Sequence, residues 1–187
     1  MILSPGFAEF ERNWAAGQNQ LVWARLAADL DTPVSLMLKL GEARPDTFML
    51  ESVTGGEVRG RYSVVGLKPD LIWRCRGESV EINREARFDS AAFHPDPRHP
   101  FESLRALIAE SAIEMPEGLP AIAAGLFGYL GYDMIRLVEH LPDVNPDPLG
   151  LPDAVLVRPT VIAVLDGVKG EVTLVSPAWV SGGLSAR

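Results

Sequence analysis

The run over residues 48–66, FMLESVTGGEVRGRYSVVG, leaves few folds open. Phe48, Met49 and Leu50 precede the pair Gly55 and Gly56, and Val64 and Val65 follow it. Two adjacent glycines adopt positive φ without steric cost, so the spacing predicts two extended arms doubling back on each other. A hairpin of this kind brings Glu51 and Ser52 near Arg59, Arg61, Tyr62 and Ser63. Carboxylate, hydroxyl and guanidinium groups then converge, a set that can answer the ammonium and the carboxylate of a zwitterion. The plainer reading of the same residues is a surface Glu–Arg pair of small worth beside ordinary strand residues.

Strand signals continue on both sides of this run. Residues 47–53, 61–66, 70–76 and 79–83 read as four strands separated by Gly-Gly, Lys-Pro-Asp and Gly-Glu turns. Such short connections favour antiparallel neighbours. Residues 20–26, QLVWARL, fit another strand, and 121–131, AIAAGLFGYLG, a buried one. Gly125, Gly128 and Gly131 recur at every third position there, without the strand–glycine–helix order of a dinucleotide fingerprint, so close backbone packing is the favoured explanation. Residues 154–165 and 171–176 enclose Asp166-Gly167 and Lys169-Gly170, a strong hairpin signal.

Helices are predicted between the strands. Ser4-Pro5 ahead of Phe7, Phe10 and Trp14 marks a capped helix that Gly17 stops. Asp31-Thr32-Pro33 starts a second, with Val34, Met37 and Leu38 as its apolar face and Gly41 as its end. A third covers 101–111, with Leu104, Leu107 and Ile108 inward, and Asp133 caps a fourth that runs to His140. Residues 89–100 and 142–152, rich in proline, read as loops. Antiparallel strands with helices set among them give an α+β fold, a largely antiparallel or mixed sheet with packed helices.

Several function classes are excluded by composition. A formal net charge of −8 disfavours nucleic acid and anionic membrane as partners. No long apolar run spans a membrane and no secretory signal opens the chain. Cys75, the only cysteine, rules out an intrachain disulfide and fits a reducing cytoplasm; its LIWRCRG setting suggests a structural strand residue. His94, His99 and His140 do not have zinc-site spacing, and Asp143, Asp147 and Asp153 lack the closing Glu of a calcium loop. Neither Ser52 nor Ser63 has a histidine near it in sequence. The residues offer ligand recognition more readily than chemistry.

LES at residues 50–52, then GG, then GRYSVVGLKPD from Gly60, resembles the N-terminal domain of anthranilate synthase component I. DLDTPVSLMLKL from Asp29, GLFGYLGYDMIRLVEHLP from Gly125 and LGLPDAVLVRPTVIAVLD from Leu149 extend the resemblance over residues 18–177. In that family the LES and GRYS segments help form the pocket for tryptophan, the feedback inhibitor. The resemblance therefore implies a tryptophan site at Leu50, Glu51 and Ser52, joined by Arg61, Tyr62 and Ser63. The family enzyme is a cytoplasmic lyase of tryptophan biosynthesis. With magnesium it converts chorismate and glutamine-derived ammonia to anthranilate and pyruvate, and it works with a glutamine amidotransferase subunit.

Family chains are much longer, and their catalytic and magnesium-binding residues lie in a C-terminal chorismate-binding domain. Residues 1–187 are accordingly expected to be a single N-terminal regulatory domain, a fragment inactive by itself, with no catalytic or metal-binding residue of its own. Association into a homo-oligomer is left open. Two other assignments fit the same residues: the N-terminal domain of aminodeoxychorismate synthase component I, and a stand-alone amino-acid-binding or interaction module.

Overall fold

The computed structural model describes residues 2–40, 45–51, 60–142 and 145–180. Its elements are α1 (Phe7–Ala15), β1 (Gln20–Ala27), α2 (Pro33–Leu40), β2 (Phe48–Leu50), β3 (Tyr62–Arg76), β4 (Ser79–Asn83), β5 (His94–Asp96), α3 (Pro100–Glu110), β6 (Phe127–Leu130), β7 (Ala154–Asp166) and β8 (Glu171–Ala178). Short 3-10 helices cover Ala121–Ala123 and Tyr132–Leu137. The α+β reading holds, and the pairs β1–β8, β2–β3, β3–β4, β4–β5, β6–β7 and β7–β8 are antiparallel.

The chain divides into two compact units, Met1–Lys68 with Ile113–Gly125 and Pro159–Arg187, and Pro69–Ala112 with Leu126–Arg158. Strands β3 and β7 each contribute residues to both. In the first unit the strand order is β1–β8–β7–β3–β2. Its core joins Leu36 of α2 to Val65 and Leu67 of β3, Ala163 and Leu165 of β7, and Val172 of β8. The β7–β8 hairpin forms as its glycines predict, and the Asp166 carboxylate accepts from the Val168 and Lys169 N–H groups to close the turn.

In the second unit the order is β6–β7–β3–β4–β5. Leu71, Trp73 and Cys75 of β3 pack with Val80, Ile82 and Leu107. The Trp73 indole N–H donates to Ser103 Oγ at 3.0 Å, and Ser103 Oγ donates to Asp96 at 2.7 Å. Arg158 is 6% exposed, and Asp70 neutralises it through two hydrogen bonds of 2.9 Å. A buried guanidinium requires such pairing.

Several expectations need correction. Strand β3 runs unbroken through Lys-Pro-Asp, which the sequence suggests is a turn. Lys68 takes the left-handed conformation, φ 51°, and its carbonyl accepts from Thr160 Oγ1 at 2.6 Å. A local kink of this kind is where a sheet interior tolerates proline. On α2 the buried residue is Leu36, with Met37 and Leu40 beside it, while Val34 and Leu38 are exposed. The cap is right: Thr32 Oγ1 accepts from the Ser35 N–H, and Ser35 Oγ from the Thr32 N–H. The proposed stop, Gly41, lies outside the described residues.

Helix α1 forms, but Gly6 is its N-cap; Ser4 instead exchanges two backbone hydrogen bonds with Trp23. On α3 the buried face is Pro100, Ser103 and Leu107, and Ile108 points outward. The proline-rich loop over 89–100 includes β5, paired to β4. Residues 121–131 form a 3-10 turn and then β6, of which only Phe127 is buried. Asp133 sits inside a 3-10 helix rather than capping an α-helix.

Close glycine packing is confirmed at two of the three spaced positions. A Cβ on Gly128, φ 153°, would fall 1.9 Å from the Val155 carbonyl oxygen, and one on Gly131 would fall 2.7 Å from that of Asp153. Gly125 meets nothing within 4 Å.

Candidate functional site

Strand β2 lies antiparallel to β3, with Phe48 opposite Gly66, Met49 opposite Val65 and Leu50 opposite Val64. Both arms of the expected hairpin are therefore paired as predicted. Its tip, with Ser52, Gly55, Gly56 and Arg59, lies outside the described residues. The register depends on a missing side chain: a Cβ on Gly66 would sit 2.2 Å from the Phe48 ring, which occupies that space.

Strand alternation sorts the candidate residues by face. Ser63 shares a face with Val65 and Leu67, which pack in the α2 core, and it is itself buried. Tyr62 and Val64 point the other way, and Leu50, opposite Val64, joins them at 49% exposure. Glu51 follows Leu50 and is exposed. Leu50 is thus paired to β3 at Val64, and Tyr62 and Ser63 precede that pair on β3, but the three do not all face one side.

Arg61 is engaged by a residue that sequence spacing did not bring forward. Its Nε donates to Asp166 Oδ1 at 3.0 Å and its Nη2 to Asp166 Oδ2 at 2.6 Å, a fork-on-carboxylate geometry. The guanidinium carbon also lies 5.0 Å from the Tyr62 ring centroid. The Gly167 N–H donates to the Arg61 carbonyl at 2.9 Å, tying the start of β3 to the β7–β8 turn. Hydrogen bonding from Arg61 holds the Asp166 carboxyl below the usual carboxylate range, against an opposing effect of burial. Asp166 is visible in the sequence only as a turn residue; no spacing signals a partner 105 positions away.

Burial pushes the Cys75 thiol up to about 11, far from a nucleophile's range. Among the described residues no group of three or more His, Cys, Asp or Glu side chains is placed to hold a metal ion. No described helix is long and apolar enough to cross a membrane.

No protein-family model matches the chain. It is 80% identical over 181 residues to anthranilate synthase component 1 of Cereibacter sphaeroides, covering 97% of this chain and 36% of that protein. The protein of the same name from Pseudomonas putida is 39% identical over 176 residues, 91% of this chain and 35% of its own length. The chain therefore spans about a third of the length of the curated relatives it matches. The crystal structure of anthranilate synthase component I from Streptococcus pneumoniae superposes with a TM-score of 0.55 at 21% identity, over 86% of this chain and 32% of that one. At that identity the likeness supports the fold alone.

Proposed function

We propose that the chain, 80% and 39% identical to two anthranilate synthase component 1 proteins over about a third of their length, is the tryptophan-sensing part of such an enzyme. The full polypeptide would make anthranilate from chorismate and ammonia supplied by a glutamine amidotransferase subunit. The observation that supports the site assignment is the β2–β3 register, which sets Leu50 against Val64, two residues from Tyr62 on the same strand.

Glu51 and Ser52 meet the ammonium group of tryptophan in this proposal, and Leu50 and Tyr62 contribute apolar surface for the indole. Arg61, already held by Asp166, acts as a positioning residue that fixes the start of β3. The chemistry and the magnesium ion are assigned to the two thirds of the relatives' length that this chain does not span. Inhibition at a distance then requires tryptophan to bind the active and inactive arrangements with different affinity.

The test is tryptophan inhibition of anthranilate formation by a full-length enzyme carrying these residues. Losing one hydrogen bond to a charged ligand group costs about 1.5–3 kcal/mol, so Ser52→Ala should raise the inhibitory concentration roughly tenfold to a hundredfold. Ser52→Phe should raise it further by filling the pocket. Unchanged inhibition in both variants would reject the assignment.

A further inference from the structure

Asp166 meets more donors than a turn residue needs. Its Oδ1 accepts from the Val168 and Lys169 N–H groups at 3.0 and 3.2 Å, and these two bonds close the β7–β8 turn. The same carboxylate also takes the Arg61 fork, Nε to Oδ1 at 3.0 Å and Nη2 to Oδ2 at 2.6 Å. Asp166 is 9% exposed, and a carboxylate so far out of water is costly unless a charge answers it. That charge comes from the start of β3.

A long, flexible side chain is thereby fixed at both ends. The Gly167 N–H donates to the Arg61 carbonyl at 2.9 Å and holds its backbone, while Asp166 sets the plane of its guanidinium. The guanidinium carbon in turn lies 5.0 Å from the Tyr62 ring centroid, within cation–π range. Carboxylate, guanidinium and ring form a series in which each group orders the next. Tyr62 ends that series half-buried, on the face of β3 that also carries Val64, the partner of Leu50. Arg61 and Asp166 together are close to neutral, so the pair offers little to the carboxylate of an amino acid. What it supplies is order in an aromatic ring.

We propose that Asp166 is a positioning residue for the tryptophan site: through Arg61 it holds the Tyr62 ring as the indole meets it, and so sets how tightly tryptophan binds. The inference rests on the proposed function. It places part of the control of tryptophan sensitivity in the β7–β8 turn, 105 residues from Arg61 in sequence.

The experiment measures tryptophan binding to the full-length enzyme by calorimetry. Asp166→Asn keeps an oxygen for the Val168 and Lys169 N–H groups and removes the charge that orders Arg61. It should weaken binding roughly threefold to thirtyfold, the worth of a shielded cation–π contact. Tyr62→Leu should weaken binding too, and adding Asp166→Asn to it should cost no more than about a further twofold, because Asp166 acts through the ring. Arg61→Gln leaves the turn intact and should repeat both results. Gly128→Ala, destabilised in the second unit, should bind tryptophan as the parent does. A loss equal to that of Asp166→Asn in Gly128→Ala, or losses that add in full on Tyr62→Leu, would overturn the inference in favour of a general effect on stability. Unchanged binding by Asp166→Asn would overturn it while leaving the tryptophan assignment standing. Tighter binding by Asp166→Asn would overturn it in favour of Arg61 as a receptor for the ligand carboxylate. A parent enzyme that binds no tryptophan would overturn the function proposal and the inference with it.

Discussion

Arg61 and Asp166 grip each other across 105 residues of sequence, Nε to Oδ1 at 3.0 Å and Nη2 to Oδ2 at 2.6 Å. The pair ties the start of β3 to the β7–β8 turn, where Asp166 also accepts two backbone N–H groups. Both side chains are largely shielded, 26% and 12% exposed, so the contact is not an ordinary surface ion pair.

Asp166→Ala should therefore lower stability at neutral pH by about 1.5–3 kcal/mol in urea titrations. The pH dependence has a definite sign. The folded Asp166 carboxyl titrates below its ordinary value of 3.8, so its contribution is complete above that value and falls away as pH drops through the lowered one. The stability gap between parent and variant should be constant through neutral pH and shrink in acid. A gap that widens in acid would contradict the pairing.

Gly128→Ala places a methyl group against the Val155 carbonyl oxygen in a backbone conformation that L residues avoid. Neither the oxygen nor the strand behind it can move cheaply, so a loss of about 2–4 kcal/mol is expected. Gly6→Ala, with nothing within 4 Å and an extended backbone, should cost no more than about 1 kcal/mol, the ordinary loss of a glycine N-cap. Thermal denaturation of the two variants side by side separates steric exclusion from a general effect of removing glycine.

Gly66→Ala differs in kind, because the displaced neighbour is the Phe48 ring rather than backbone. The ring can shift, so a cost of about 1–3 kcal/mol is expected together with a loosened β2. If β2 carries the tryptophan site, inhibition of the full-length enzyme weakens along with stability. Full tryptophan sensitivity in a properly destabilised Gly66→Ala enzyme would separate β2 from the site.

Cys75 is buried, its thiol donates to the Gly77 carbonyl at 3.2 Å, and burial holds it protonated up to about 11. Thiol-specific labelling should be negligible in the native protein at neutral pH and rapid in denaturant. The unfolded thiol ionises from about 9, so this group's contribution to stability should be lost as pH rises from there toward 11. Rapid native labelling would show that the second unit's core opens locally.

The sequence made local signals readable and long-range ones invisible. Thr32-Pro33 marked a helix start and Asp166-Gly167 a hairpin, because caps and tight turns are decided within a few residues. Lys-Pro-Asp carries turn chemistry yet stays within a strand, because a strand interior can absorb one left-handed residue when a neighbour such as Thr160 satisfies its carbonyl. The outward turn of Val34 and Leu38 came from tertiary packing, which selected Leu36 among several apolar residues on one short helix. At the candidate site, β2 and the GRYS arm were legible as neighbours, whereas Asp166 as partner of Arg61 and Asp70 as partner of Arg158 needed the fold.

The most direct measurement of the central claim is hydrogen exchange across the full-length enzyme with and without tryptophan. The account predicts slowed exchange in two short segments, residues 48–52 and 61–65, at tryptophan concentrations that inhibit anthranilate formation. Inhibition with exchange in both segments unchanged would contradict it.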